Sequence, residues 1–306
     1  MWRSKQWFVV INPTSGYGSS KRLWPKIKAY LDSREFNYNF QFTKYRKHSI
    51  DIVYNAIYQG FRDIIIVGGD GTIHNVVNAI NTQSFCASNE INIGVIAIGT
   101  GNDWIKTYNI PKSYKSAINI IKRGQMQVQD IGRIDIKGNN EQPVFFNNLA
   151  GIGFDGYVVS KVSRYKRLGA IAYVVAAIVA LFSFKNFKCS IKTRIDKYHL
   201  NTLMVVVGIC KYSGGGMQLT NNPIPNDGLL DVSIVHNFKT IDVIKNIFKL
   251  FNGKINSVQK VVTFKTDTLD IDTKNNVYGI IEADGELISS GSLRISIIKN
   301  ALSFYV

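Results

Sequence analysis

The stretch IIIVGGDGTIHNVVNAI, residues 64–80, decides the fold. With Asp63 it opens as DIIIV, a run too short for a helix and rich in β-branched residues, which reads as a buried strand. Gly68, Gly69 and Gly71 break the strand, and a helix is predicted over 73–80. Asp70 stands between the glycines. A surface turn can hold an aspartate for conformational reasons alone, so its meaning depends on whether other loops of the same kind lie on the same sheet edge.

Working outward, WFVVI (7–11), NYNFQF (37–42) and INIGVIAI (91–98) read as strands, and 20–32, 48–59 and 113–123 as helices. Strands spaced by helices of this length predict right-handed βαβ units, a parallel sheet and a three-layer α/β/α domain over 1–127. Near Gln127 the pattern changes. RIDIKG, PVFFNNLAGIG, FKCSIKTRI, LNTLMVVVGI, LLDVSIV, KVVTFKT, TLDIDT, VYGIIEAD and SLRISIIK follow, many alternating with period two between turns. They predict an antiparallel β-sandwich over 128–298, with helices inserted at 157–184 and 240–252 and a tail, 299–306, able to rejoin the first domain. The cleft between the two domains is the expected binding site.

The bulk properties narrow the partners. A chain of 306 residues, 45% hydrophobic and 19% charged, is long and apolar enough for two cores. Its net charge of +16 favours phosphate-bearing partners, although a lysine-rich surface alone also produces such a balance. No basic-aromatic motif of the usual nucleic-acid binders appears. Cys86, Cys189 and Cys210 form no CxxC pair, which fits buried thiols in a reducing compartment. Leu168 to Phe184 carries no charge, and basic residues including Lys161, Arg164 and Lys166 precede it. Its 17 residues stand at the lower limit for a membrane span, but it reads first as a buried helix whose basic flank either meets an anionic membrane surface or is simply solvated.

Three loops leave the carboxyl ends of predicted strands on one sheet edge: NPTSGYGSS (12–20), GGDGT (68–72) and GTGND (99–103). Glycines let backbone amides approach an anion, and the following helices add their N-termini. Asp70 and Asp103 would repel a polyphosphate unless a cation lay between, so the set suggests a Mg²⁺–nucleotide site. EADGE (282–286) reads equally as an exposed Asp-Gly hairpin or as the carrier of a general base, Glu286. His74 reads as a capping or surface residue.

GGDGT, GTGND and a late DGE, preceded by NPxSG, resemble the diacylglycerol kinase catalytic-domain family, in its short bacterial lipid-kinase form related to sphingosine and ceramide kinases. NNLAGIGFDGYVV (147–159), KYSGGG (211–216) and PNDGLLDVSIV (225–235) extend the resemblance over essentially the whole chain. It implies an ATP- and Mg²⁺-dependent lipid kinase, cytoplasmic and peripheral to an anionic membrane, with a diacylglycerol-like acceptor. It implies ATP contacts from Asn12, Ser15, Gly16, Thr43, Gly69, Asp70, Gly71, Thr72 and Thr100. Asp70 and Asp103 would orient Mg²⁺ and phosphates, Asp284 and Glu286 match the DGE, and Glu286 would accept the proton. A second, structural Mg²⁺ would be held by Asp227 with the carbonyls of Leu230 and Val232.

Two positions depart from the family pattern. Asn75 stands where an acid is usual, and VVVGIC precedes KYSGGG where relatives often carry an asparagine. GGDGT is shared with NAD kinases, so an NAD kinase is one alternative and a non-catalytic nucleotide or lipid sensor another. GTGND weighs against the first and the retained acids against the second.

Overall fold

A computed structural model describes residues 5–99, 101–138, 142–165, 180, 183–274 and 276–306, without the side chains of 162–165 and 247. The chain divides into two compact units, residues 1–130 with 300–306, and residues 131–299.

The first unit is built on strands β1 (Gln6–Ile11), β2 (Asn37–Phe42), β3 (Asp63–Gly68) and β4 (Asn92–Ala97). All pair parallel in the order β2-β1-β3-β4. Alternate side chains reach opposite faces, as a strand's period of two requires. On one face Trp7, Val9, Ile11, Ile65, Val67 and Ile96 meet Trp24, Ile27 and Leu31 of helix α1 (Ser15–Ser33) and Ala117, Ile118 and Ile121 further on. The second group belongs to α5 (Tyr114–Arg123), which Ser113 caps through its hydroxyl and Gly124 closes in the left-handed region. Helices α2 (His48–Tyr58) and α3 (Asp70–Thr82) pack with each other and with the same strands, burying Ile52, Val53, Ile57, Ile73, Val76 and Ile80. α4 (Asp103–Thr107) is a single short turn of helix.

The chain's last residues belong to this unit. Ser303 and Phe304 pair parallel with β4, and the Tyr305 hydroxyl donates to Asp63 Oδ1, which also meets Lys5 Nζ at 2.9 Å.

The second unit is antiparallel. Its strands are β5 (Met126–Ile136), which enters from the first unit, β6 (Val144–Phe146), β7 (Leu149–Gly153), β8 (Phe187–Lys192), β9 (Lys197–Gly208), β10 (Leu230–His236), β11 (Val261–Thr266), β12 (Thr268–Asp272), β13 (Ile280–Ala283), β14 (Glu286–Ser290) and β15 (Leu293–Tyr305). β9 is its long central strand: β10 pairs along one edge, while β8 and then β7 share the other. β13 continues from β7 to β14, and β12 joins β8 to β15. Helix α6 (Phe154–Tyr165) follows β7, and α7 (Thr240–Phe251) follows β10.

The α/β plus β-sandwich class expected from the alternation is what forms. Most of the apolar segment 168–184 lies outside the described residues, and no described helix is long and apolar enough to cross a membrane. Cys189 and Cys210 are buried and Cys86 half-buried, all three as free thiols, and burial pushes the Cys189 thiol up to about 12.

Candidate functional site

The three glycine loops of the first unit close around one cavity of about 350 Å³, lined by Thr14–Tyr17, Gly69–Gly71, Ile98, Gly99, Gly101 and Asn102. The first loop is irregular for a reason. Gly16, Tyr17 and Gly18 all have positive φ (58°, 55° and 81°), so the regular part of α1 begins only at Ser19. Glycine adopts that region without strain, and successive amides in such a turn face a common concavity. The loop is tied to the second one: Asn12 Nδ2 donates to Thr72 Oγ1 at 3.1 Å, while Asn12 Oδ1 accepts from the Thr14 amide and hydroxyl.

The second and third loops meet glycine against glycine. A Cβ at Gly99 would stand 3.2 Å from the Gly69 Cα and 2.7 Å from Asn102 Oδ1, so this approach requires a glycine at 99. Asn102, left-handed at φ 51°, donates its amide to the Gly99 carbonyl. It thereby turns the chain so that Asp103 starts α4. The Asp103 amide then donates to Asp70 Oδ2 at 3.2 Å. Both carboxylates converge over Gly101, where an added Cβ would lie 3.1 Å from Asp70 Oδ2 and 3.8 Å from Asp103 Oδ2. Lys106 Nζ meets Asp103 Oδ1 at 2.5 Å and supplies a first counter-charge to the pair.

Two carboxylates beside amide-lined loops suit a hard divalent cation shared with phosphate oxygens, so Mg²⁺ fits Asp70 and Asp103.

Of the ATP contacts implied by the resemblance, Ser15, Gly16, Gly69, Asp70 and Gly71 line the cavity. Asn12 and Thr72 are engaged in binding the two loops together. Thr43 lies outside the lining and donates its amide to the Ile11 carbonyl. Thr100 lies outside the described residues. Tyr17, Ile98 and Asn102 line the cavity without having been anticipated; the GYG and GTGN turns were the only signal for them. His74 corrects an expectation. It is buried in α3, not capping or exposed, and Asn78 one turn later meets its ring at 3.3 Å and donates to its carbonyl.

In the second unit, Asp284 and Gly285 form the two-residue turn between β13 and β14, with φ of 52° and 81° and Ala283 paired to Glu286. Positive φ at both central residues is the reason for Asp-Gly here. The hairpin is more than a turn. Asp284 points inward: Oδ1 accepts from the Asn148 and Leu149 amides at 3.0 and 3.1 Å, and Oδ2 from Asn147 at 3.2 Å. Asn148 in turn accepts from the Ile209 and Cys210 amides through its carbonyl. NNL thus joins the DGE turn to the end of β9, which explains why those motifs occur together.

Beneath the turn lies a group the sequence reading passed over. Glu282, 2% exposed, accepts from the Gly285 amide at 2.8 Å through Oε2. Its other oxygen faces buried Asp155 across Gly151, where a Cβ would meet Asp155 Oδ2 at 2.6 Å and Glu282 Oε1 at 2.8 Å. Burial first, then the Asp155 charge, holds the Glu282 carboxyl well above the usual carboxylate range.

The loop implied to hold a second Mg²⁺ has other partners. Asp227 Oδ1 accepts from the Leu229 amide, and Lys265 Nζ bridges Asp227 at 2.8 Å and Asp231 at 3.3 Å. Leu230 and Val232 belong to β10, where Val232 is paired on both edges. Burial pushes Asp231 up to about 6. Lys265 thus supplies a counter-charge to both carboxylates of this loop. Among the basic candidates, Lys161 lies over the Tyr157 ring at 4.8 Å. Arg164 belongs to α6, and its side chain, like Lys166, is outside the described residues.

Known proteins match this architecture along almost the whole chain. Residues 6–134 match the diacylglycerol kinase catalytic domain, and residues 148–306 match the YegS C-terminal NAD kinase beta sandwich-like domain. A Bacillus subtilis (strain 168) protein named as a candidate lipid kinase, YtlR, is 26% identical over 95% of this chain and 96% of its own length. A protein of Shewanella frigidimarina named "Probable lipid kinase YegS-like" is 28% identical over 81% of this chain and 78% of its own length. In fold, a crystal structure titled as a diacylglycerol kinase from Bacillus anthracis superposes with a TM-score of 0.75 at 20% identity, covering 100% of this chain and 98% of that one. Fold and loops therefore define a two-unit protein of the lipid-kinase class. The chain belongs to the YegS-like lipid kinase family, with its diacylglycerol kinase catalytic domain and β-sandwich partner domain.

Proposed function

We propose that the protein transfers the γ-phosphate of ATP to the hydroxyl of a diacylglycerol-like lipid, with Mg²⁺. The observation that carries this reading is the convergence of Asp70 and Asp103 over Gly101, beside a cavity lined by three glycine loops. Phosphoryl transfer needs positioning and charge neutralisation more than covalent chemistry. The amides of Ser15–Tyr17 and Gly69–Gly71 would hold the phosphates, with α3 contributing its N-terminal dipole. Held by Asp70 and Asp103, Mg²⁺ would neutralise phosphate charge. Glu286, at the foot of the DGE turn, would accept the proton of the attacking hydroxyl. Asp284 would act as a positioning residue, because its carboxylate is already committed to three backbone amides.

The acceptor is tested by offering diacylglycerol, phosphatidylglycerol, sphingosine and NAD separately in mixed micelles with γ-labelled ATP. Label in diacylglycerol alone supports the reading. Label in sphingosine or phosphatidylglycerol moves the acceptor class, and label in NAD alone overturns the lipid assignment.

A further inference from the structure

Helix α7 turns more apolar surface outward than its own packing uses. Val243 and Leu250 pack inward on the cluster containing Leu149, Leu203, Val206 and Phe238. On the outer side stand Ile241, Ile244, Phe248 and Phe251, exposed by 50%, 51%, 82% and 52%. Their spacing of three, four and three residues puts them in a single stripe about 80° wide at roughly 100° per residue. Four large apolar side chains in one exposed stripe, uncovered among the described residues, are a contiguous face and not scattered surface residues.

The charges beside the stripe identify what fits it. Lys245 and Lys249 follow next around the helix, and neither forms an ion pair among the described residues. The helix carries one acid, Asp242, and Lys260 neutralises it at 2.8 Å. At the N-terminal end of α7 a hollow of about 330 Å³ opens, lined by Phe154, Phe184, Phe238 and Val243 together with Asn186, Thr240, Lys185 and Lys239. Apolar stripe and hollow thus share a lysine border, on a chain whose net charge is +16. A second copy docking here would bring like charges together. An anionic lipid surface instead takes the apolar side chains into its acyl boundary while the lysines extend their amines to the phosphates.

We infer that α7, with the hollow at its N-terminal end, is the face that docks the protein on an anionic bilayer. Ile241, Ile244, Phe248 and Phe251 enter the acyl boundary, and Lys239, Lys245 and Lys249 meet the headgroups. The inference names the surface on which the lipid-kinase reading would operate and in that sense rests on it, but its test requires no turnover.

The test is sedimentation with vesicles of phosphatidylcholine alone and of phosphatidylcholine containing phosphatidylglycerol. It compares wild type with Ile244→Ser/Phe248→Ser and Lys245→Glu/Lys249→Glu. ATP binding in solution checks that each variant keeps its first unit, and circular dichroism checks its fold. Wild type is expected on the anionic vesicles, less so as salt rises, and each double variant is expected to bind them at least about tenfold more weakly. Equal binding by wild type and folded variants would overturn the proposal, as would failure of wild type to bind anionic vesicles. A wild-type dimer that the serine variant splits, without any change in vesicle binding, would assign the stripe to self-association and overturn it too. Absence of phosphate transfer would count against the kinase reading and leave this readout intact.

Discussion

Glu282 is buried with Asp155 and keeps a proton that an unfolded chain would lose. Below the ordinary carboxylate range the group is neutral in both states, and its burial carries no ionisation penalty. As pH rises past that range the unfolded chain ionises while the folded one holds its proton, so stability falls with pH until the raised folded value is passed. Glu282→Gln removes the ionisable group and keeps an acceptor for the Gly285 amide. It is expected to melt a few degrees above wild type at pH 8, with the gap closing towards pH 5, as thermal unfolding across pH would show. Asp284→Asn is expected to cost roughly 2 kcal/mol in denaturant unfolding, because one carboxamide oxygen replaces a carboxylate that accepts three amides. ATP affinity should be unchanged by it. Both roles were hidden in the sequence. EADGE shows three acids at a turn, and nothing in their spacing says that Glu282 and Asp284 turn inward, because the groups that receive them lie more than a hundred residues away. His74 was misplaced for a related reason: a polar residue on a helix's buried face looks like a surface residue until the neighbouring helix is in place.

At the scale of elements, the long βα alternation was legible because each strand and helix carries its own period. Boundaries of β1–β4, α2 and α5 agree with expectation within a few residues. What the periods could not show was α4, too short to display one, and the irregular opening of α1, where three left-handed residues precede the helix proper. The loops between elements were legible as a set but not in their division of labour. Asn12 and Thr72 hold the first and second loops to each other, and Gly99 lets the third approach the second. Gly99→Ala is therefore expected to weaken ATP binding at least tenfold by titration calorimetry, since its Cβ would push on Asn102 Oδ1 and the Gly69 backbone. Unaltered affinity would mean that the loops can separate without loss of the cavity. Helix α7 was legible as a helix, whereas its outward apolar stripe was not, because hydrophobicity alone does not say which apolar face is covered.

For the molecule as a whole, the class follows from two matched domains covering residues 6–134 and 148–306, and the chemistry proposed for it follows from acids in both units. Those acids have separable duties. Asp70→Ala is expected to weaken binding of ATP with Mg²⁺ as well as transfer, because its carboxylate lies at the cavity and receives the Asp103 amide. Glu286, remote in sequence and proposed to act on the acceptor's proton, should not matter for ATP. The most direct measurement is transfer of labelled γ-phosphate to diacylglycerol by Glu286→Gln beside wild type, with ATP affinity measured on the same samples. ATP affinity within about twofold of wild type, with transfer slowed at least about a hundredfold, is the predicted result for loss of a general base. Transfer at the wild-type rate would contradict the account.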